Sequence, residues 1–504
     1  MGFEESRFDT DDVRMRGFSR RVPVAEVWQW LEEHVSRLEG EKVPVGEAAG
    51  RVLAEEIRSP RDVPPFARAM MDGYAVRAAD TLGASVYNPI RLVVIGQAFP
   101  GRAFSQPVAP GQAVQIMTGA AMPSGADAVL PAELAETEPN SVLALGEVPP
   151  GKHVGQIGED VRQGSVVFRT GRILRPQDVG LLASVGLSEI LVVRRPRVRI
   201  LVTGDELLPA GAAWQPNHIY DANGPMLQAL VRRDGGIPEF WGIVADQPEA
   251  LLAALREPSR SHLPLVSDRP MPQQPPAPPP PGGLQPNALK TSPSASTRPA
   301  VSNRLSAFTP TERSESASRA EEAREWLTYC LASREETSEL TSEPGSPDLF
   351  LISGGSSVGQ EDHAPRILAE HGQLVFHGVA MRPSSPAGLG LWKGRLVFLL
   401  PGNPVSCLCA YDCFAGRAIR ALAGRSMDWP YRRITAPLAR KVSSMIGRFD
   451  YLRVRLVQGQ VEPLGISGAS ILSSTTQADG FVLIPPESEG YPAGTQVEVF
   501  LYDS

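Results

Sequence analysis

Cysteine is scarce, with four in 504 residues. That scarcity excludes a disulfide-stapled fold, because such frameworks are short and cysteine-dense. Three of the four, Cys407, Cys409 and Cys413, crowd one segment, while Cys330 stands apart. The crowding admits a metal site, but free cysteine is more often a small core residue, and that reading is preferred. Basic excess is also missing. The net charge of −7 argues against a nucleic-acid or membrane-surface role, which needs a basic face. No stretch approaches the roughly 20 apolar residues that cross a bilayer. The opening "MGFEESRFDTDDVRMRG" has no apolar h-region and mixes acids with bases, so it does not read as a signal peptide. The expectation is a cytoplasmic protein with reduced thiols.

What is present points to several domains, since single cores stop growing at about 250–300 residues. One segment belongs to none of them. Residues 258–319 are dense in Pro and Ser and poor in large apolar side chains, a composition that cannot bury enough surface to offset chain entropy. It reads as a disordered insertion, either tolerated at a surface loop or serving as a proline-rich ligand. A short helix is expected after it, in "EEAREWLTYCLASREE", with a stripe of Trp326, Leu327, Cys330 and Leu331.

The flanks of the insertion alternate strand and helix. "RVRILVTGDEL", "PEFWGIVAD", "DLFLISGG" and "GRLVFLLPGN" read as buried strands. "ANGPMLQALVRRDGG", "PEALLAALRE", "HAPRILAEHG" and "PVSCLCAYDCFAGRAIRAL" read as helices, with Asp221 or Asn223 capping the first, and Asn403 and Pro404 opening the last. Such alternation predicts a parallel sheet with helices on its faces. Four polar loops then leave the carboxyl ends of its strands, where open α/β sheets bind ligands. They are Gly204-Asp205-Glu206, Asp246, Ser353-Gly354-Gly355 and Pro401-Gly402-Asn403. This edge is the expected active site.

Before this unit, "VPVAEVWQWLEEHVSRLEG" is an amphipathic helix, followed by short β-like runs such as "IRLVVIGQAF", "VQIMTG" and "SVVFRTG". After about residue 430, "RRITAPLARKV", "DYLRVRLVQGQVEPL", "GFVLIPPE" and "TQVEVFLYDS" alternate with strand period and suggest a small β domain.

Three further stretches carry polar residues in non-periodic surroundings: Asp72 in "PPFARAMMDGYAV", Thr118 in "IMTGAAMPSGADAV" and Asp160 in "GEDVRQG". Singly, each is an ordinary turn residue. In order with "VTGDEL", "SGGSSVG", "LPGNPVS" and "ILSSTTQADGFVLIP", they resemble the molybdopterin molybdenumtransferase (MoeA-like) family and the homologous E domain of gephyrin. The resemblance spans nearly the whole chain apart from the extreme N-terminus and the insertion.

The resemblance implies an enzyme of molybdenum cofactor biosynthesis. It would insert molybdenum from molybdate into adenylylated molybdopterin with release of AMP and a requirement for Mg²⁺. The implied fold is multidomain α/β plus β, elongated and dimeric. After a tail (1–19) come a connecting domain (20–60 with 150–196), an inserted β domain (61–149), a molybdopterin-binding-type parallel α/β domain (197–428) and a C-terminal β domain (429–504). Asp72, Thr118, Asp160, Glu206, Asp246 and Asp362 match the family's active-site positions, with Asp246 and Asp362 on the metal. Carboxylates can face an anionic phosphate ester when a divalent ion bridges them. Gly354, Gly355, Ser357, Arg382, Ser385, Gly402, Ser406, Arg453 and Ser473 match the pterin and molybdate positions. The implied partners are a second copy of the chain, the molybdopterin adenylyltransferase and molybdoenzyme acceptors, with no nucleic acid and no membrane. His153, His218 and His363 read as structural.

Two departures stand out. The family's usual "KPGKP" is "MRPSSP" here, with Arg382 for the first lysine and Ser385 for the second. Arg382 would keep one cation whose planar fork suits an oxyanion, with Ser384 and Ser385 as hydroxyl donors. Before Asp72, the usual Asp-Asn-Ser or Asp-Arg-Ser is Ala67-Arg68-Ala69. A scaffold like gephyrin, docking through the proline run, is the competing reading, but it needs none of the six acid and hydroxyl positions. A related adenylyltransferase or nicotinamide-nucleotide amidase would lack the flanking β domains and "MMDGYA".

Overall fold

The structure, a computed structural model, describes residues 21–257, 346–355, 362–465, 468 and 470–502. The insertion, the helix expected after it and Ser357 lie outside the described residues.

The α/β body is a six-stranded sheet in the order Ile237–Val244, Arg197–Thr203, Leu349–Ser353, Arg395–Leu400, Gly388–Trp392, Gln373–His377. The first four strands are parallel, as expected. The last two run antiparallel and extend the sheet beyond the expectation. Glycines at 388 and 390 dilute their strand pattern in the sequence. Gly390 has a packing reason: a Cβ there would lie 2.8 Å from Leu368 Cδ1 and 2.7 Å from the Gln373 carbonyl oxygen. The helix Ala364–His371 can therefore approach this strand only over glycine.

Both faces of the sheet are covered, which is why its strands read as nearly unbroken apolar runs. Helices Pro248–Arg256 and Ala364–His371 bury Leu251, Leu255, Ile367 and Leu368 on one face. On the other, Asn223–Arg233 and the run from Pro404 to Leu422 join the first helix, Val24–His34. Arg199 is the odd residue, fully buried in a central strand. Its charge is balanced by Glu239 at 2.9 Å and satisfied by the Ala254 and Glu257 carbonyls at 2.8 and 2.7 Å, as a buried charge requires.

Two details of the helices depart from expectation. The run after "LPGN" is broken by a π-helical turn at Tyr411–Ala415, which aims Tyr411 and Asp412 at a buried polar cluster. Asn403 uses its backbone carbonyl, accepting from Cys407 N at 2.9 Å, and makes no side-chain cap. At the other helix Asp221 is the cap, its Oδ1 accepting from Gly224 N at 2.9 Å.

A second six-stranded sheet, Ala128–Pro131, Gly73–Val76, Gln112–Ile116, Ile90–Ala98, Ser141–Ala144, Ala135–Glu138, is built from the β-like runs of the first third. It is flanked by short pairings, Gly40–Pro44 with Glu189–Val193 and Ile57–Arg58 with Val166–Phe168. The C-terminal sheet runs Met381–Arg382, Phe449–Val457, Gly480–Ile484, Gln496–Leu501, Arg432–Pro437. Its edge strand, Met381–Arg382, comes from the α/β segment and pairs in parallel with Phe449 and Asp450. This stitch places the "MRPSSP" loop between the two bodies.

Candidate active site

The carboxyl edge of the parallel strands gathers the expected loops. Thr203 pairs in register with Val244, Val202 with Ser353, and Ser353 with Leu400. The loops after these four strands therefore start level with one another. Gly354 has φ +92°, and a Cβ there would lie 2.4 Å from the Thr203 carbonyl oxygen. Only glycine fits such a turn. Asn223, a helix-start residue, ties the edge together: its Nδ2 donates to Ser353 Oγ at 2.9 Å and to the Gly402 carbonyl at 2.7 Å. The sequence offered Asn223 as a cap; the structure makes it a clamp between two glycine loops.

Thr203, Asp246, Gln247, Gly355 and His363 line one pocket at this edge. Asp246 N donates to Asp205 Oδ1 at 3.2 Å. Burial pushes the Asp246 carboxyl above the usual carboxylate range, and the charges of Asp205 and Glu206 add to the shift. Asp362 is half-buried just before the helix Ala364–His371. His363, set aside in the sequence as structural, lines the same pocket as Asp246.

Among the described residues, no three His, Cys, Asp or Glu side chains converge closely enough to form an all-protein metal cage. Mg²⁺ does not need one, since it is usually held by one or two carboxylates with substrate phosphate and water. A half-buried carboxylate whose ionised form is disfavoured by two neighbouring acids fits that mode. Among the described residues the cysteines form no second centre. Cys407, Cys409 and Cys413 are free and buried, and burial pushes the Cys407 thiol up to about 12, so the core reading holds.

The "MRPSSP" loop differs from the sequence expectation. Arg382 does not present an open fork: Nε donates to Asp450 Oδ1 at 2.9 Å and Nη2 to Asp450 Oδ2. Asp450 is fully buried and also accepts from Ser444 Oγ at 2.6 Å. A buried carboxylate needs such a partner, so the guanidinium is held by the C-terminal sheet. Ser384 Oγ donates to the Ser406 carbonyl at 2.7 Å. Ser385 Oγ accepts from Arg21 Nε at 2.8 Å. Ser406 and Arg453 are buried, and Ser473, exposed, opens the short helix Ser473–Thr476. Arg21 is a neighbour that sequence reading missed, and no local signal marks it.

Asp72 and Thr118 form a separate group at the ends of paired strands of the other six-stranded sheet, while Asp160 lies off that sheet, between Val154–Gly155 and Val166–Phe168. Asp72 Oδ1 accepts from both Thr118 N and Thr118 Oγ1 at 2.7 Å, and both residues are exposed. The Thr118 backbone N–H, and then its hydroxyl, hold the Asp72 carboxyl below its usual range. Asp160 is exposed and fixed by its backbone N–H to the Val63 carbonyl at 3.0 Å. In the departed "ARA" run, Arg68 pairs with Glu159 at 3.1 Å. Replacing Thr118 by valine keeps the backbone donor and removes the hydroxyl. The Asp72 carboxyl should then titrate closer to the ordinary value, as read by carboxyl-resolved NMR, with melting unchanged. An unmoved titration would mean that the hydroxyl contributes nothing.

Matches to family models cover most of the chain. Residues 22–186 match the MoeA N-terminal region (domain I and II), 199–266 with 333–421 a probable molybdopterin binding domain, and 435–502 the MoeA C-terminal region (domain IV). Molybdopterin molybdenumtransferase 2 of Mycobacterium tuberculosis is 30% identical over 468 residues, covering 91% of this chain and 94% of that protein. A putative molybdopterin biosynthesis protein of Methanocaldococcus jannaschii is 29% identical over 491 residues, covering 96% of each. Among solved structures, a molybdopterin biosynthesis MoeA protein from Pyrococcus horikoshii superposes with TM-score 0.68 at 29% identity, covering 96% of this chain and all of that one. Motif order, sheet topology and end-to-end similarity converge: the chain belongs to the MoeA-type molybdopterin molybdenumtransferase family.

Proposed function

We infer that this protein is a transferase of molybdenum cofactor biosynthesis that inserts molybdenum from molybdate into adenylylated molybdopterin, releasing AMP. The observation that carries this reading is the carboxyl edge of the parallel sheet, where glycine loops and carboxylates surround one pocket. Gly354, Gly355 and Gly402 let backbone N–H groups approach an anionic ligand closely. Glu206, Asp246 and Asp362 belong to the phosphate side, where Asp246 and Asp362 would hold Mg²⁺. Bound there, the ion would neutralise charge on the phosphate that AMP carries away. Ser357, Ser406, Arg453 and Ser473 take the pterin and molybdate, with Ser385. Arg382 acts by holding its loop on Asp450 rather than by gripping the oxyanion.

Asp72 and Thr118 are at the strand ends of another sheet, preorganised by their hydrogen bonds, and Asp160 lies off it; all three are exposed, as they would be if a second copy of the chain completed the site. We therefore propose a homodimer working in the cytoplasm, receiving substrate from the molybdopterin adenylyltransferase and delivering cofactor to molybdoenzymes. No described helix is long and apolar enough to cross a membrane. The three sheets support the proposed division into a connecting domain (20–60 with 150–196), an inserted β domain (61–149), an α/β domain (197–428) and a C-terminal β domain (429–504).

The test supplies purified protein with adenylylated molybdopterin, molybdate and Mg²⁺ and assays the product by activating a cofactor-free molybdoenzyme. Activation with stoichiometric AMP supports the reading. Substrate binding without either product would leave a scaffold instead.

A further inference from the structure

The chain that leaves the Gly204-Asp205-Glu206 turn does not pass straight into the next helix. Leu207–Leu208 pairs in parallel with Ile219–Tyr220, and residues 209–218 form a loop between them. Both roots of this loop belong to the carboxyl edge of the parallel strands. Ile219 N donates to the Glu206 carbonyl at 2.9 Å, and Asp221 N to the Leu208 carbonyl at 2.8 Å. Two residues further on stands Asn223, the clamp between the glycine loops. The loop is also stapled within itself. Ala212 N donates to the Pro209 carbonyl at 3.1 Å and His218 N to the Gln215 carbonyl at 3.3 Å. The Tyr220 hydroxyl donates to the Ala212 carbonyl at 2.9 Å. Between these two turns sits Trp214, 68% exposed. Ala212 and Ala213 precede it, so the side chains on that flank are short. No other ring stacks on it among the described residues.

One exposed apolar side chain is ordinary on any protein surface. Here Trp214 stands on a stapled loop, with Ile219 and Tyr220 exposed at its base, and the loop is rooted on the substrate edge. We propose that Trp214 is the platform on which the adenine of adenylylated molybdopterin stacks. This role rests on reading the edge as the adenylyl-phosphate site. The carboxylates and glycines of that edge suit a metal-bridged phosphate, but they give a neutral planar base nothing to lie on. Around the pocket His363 carries the one ring among the described residues, and it lines the wall beside Asp246. A base that follows its phosphate out past Glu206 meets the loop anchored on that residue. Stacking needs no particular hydrogen-bond pattern, because every base has a π-face. The hydrogen bonds within the loop hold the indole in place before substrate arrives, which lowers the ordering cost of binding. Trp214 thereby separates the adenylylated pterin from the pterin alone.

The test is equilibrium binding of AMP and of ribose 5-phosphate to the full chain with Mg²⁺, beside the insertion assay and sedimentation of the same samples. Trp214→Ala should weaken AMP binding about tenfold or more, within what one base–aromatic stack contributes. Ribose 5-phosphate has the phosphate and no base, so its affinity should stay as in the parent. Trp214→Phe keeps a ring and should restore most of the AMP affinity. The part of the tryptophan fluorescence that AMP quenches in the parent should be absent from Trp214→Phe. In the insertion assay, Trp214→Ala should raise the KM for adenylylated molybdopterin and leave the molybdate requirement unchanged. Parental AMP affinity in Trp214→Ala overturns the proposal, while insertion by the parent leaves the function standing. Equal weakening of AMP and ribose 5-phosphate also overturns it, since the ring would then only support the loop. A changed sedimentation coefficient in Trp214→Ala would place the ring in a contact between copies of the chain, and the proposal would fall. If the parent protein neither binds AMP nor inserts molybdenum, the function reading fails and the role of Trp214 falls with it.

Discussion

Asp246→Asn is expected to cut molybdenum insertion by about a hundredfold or more while leaving the metal-free protein as stable as the parent, or more so. The loss follows from charge: asparagine keeps the shape of the side chain but cannot neutralise a divalent ion, whose contribution to such a step is several kcal/mol. The stability side follows from the raised carboxyl pKa, caused first by burial and then by the acids at 205 and 206. The folded state holds this proton more tightly than the unfolded chain does. The group's contribution is therefore favourable below the ordinary carboxylate range and is lost as pH rises through the raised value. At neutral pH the ionised Asp246 works against folding, and asparagine relieves that. Added Mg²⁺ should stabilise the parent and do less for the variant. The measurements are turnover at limiting Mg²⁺ and thermal melting from pH 4 to pH 8 with and without the ion. Parental turnover in the variant would remove Asp246 from the metal site. A large drop in melting temperature would show a structural role instead.

The second large effect concerns the joint beneath the sheet. Asp234 is fully buried at the end of the helix Asn223–Arg233. It accepts from Arg233 Nη2 at 2.9 Å, Arg420 Nη1 at 3.0 Å and the Tyr411 hydroxyl at 3.0 Å. Asp412, on the π-helical turn, accepts from Arg233 Nη2 at 2.9 Å and from the Tyr431 and Tyr451 hydroxyls at 2.8 and 3.3 Å. Tyr431 and Tyr451 belong to the C-terminal β region, so the cluster fastens that region to the α/β body. Burial, followed by the adjacent carboxylates, drives the Tyr411 and Tyr431 hydroxyls far above the usual tyrosine range. These hydroxyls are therefore donors throughout. Asp234→Ala leaves Arg420, almost wholly buried, without its carboxylate. Breaking a buried pair from one side costs about 3–5 kcal/mol. The denaturant midpoint should fall accordingly, with Asp234→Asn falling less because it keeps an acceptor. An unchanged midpoint in Asp234→Ala would mean that water reaches Arg420 and the cluster is not dry.

Much of this was legible in the sequence. Apolar runs alternating with helical stripes marked the four parallel strands and the carboxyl ends from which their loops leave, because strand length follows from local pattern. The seven motifs, in order, carried the family. Glycine at 354 was legible as a turn. Its close approach to Thr203 was not, since that depends on which strand lies beside it.

The sequence by itself determined the order of the elements, the polar loops at the strand ends and the residues those loops carry. Each of these depends on neighbours a few positions apart. The tertiary structure alone decided how the charges pair. Arg382 looked available to an oxyanion until the C-terminal sheet placed Asp450 against its fork. Arg21 carried no signal in the sequence until the pairing of Val22 with Val379 set it on Ser385. The fate of an arginine is settled by whichever carboxylate or hydroxyl is buried next to it, because the desolvation of that partner outweighs any local preference. Such partners are chosen by the packing of sheets hundreds of residues apart, which no periodicity in the chain records.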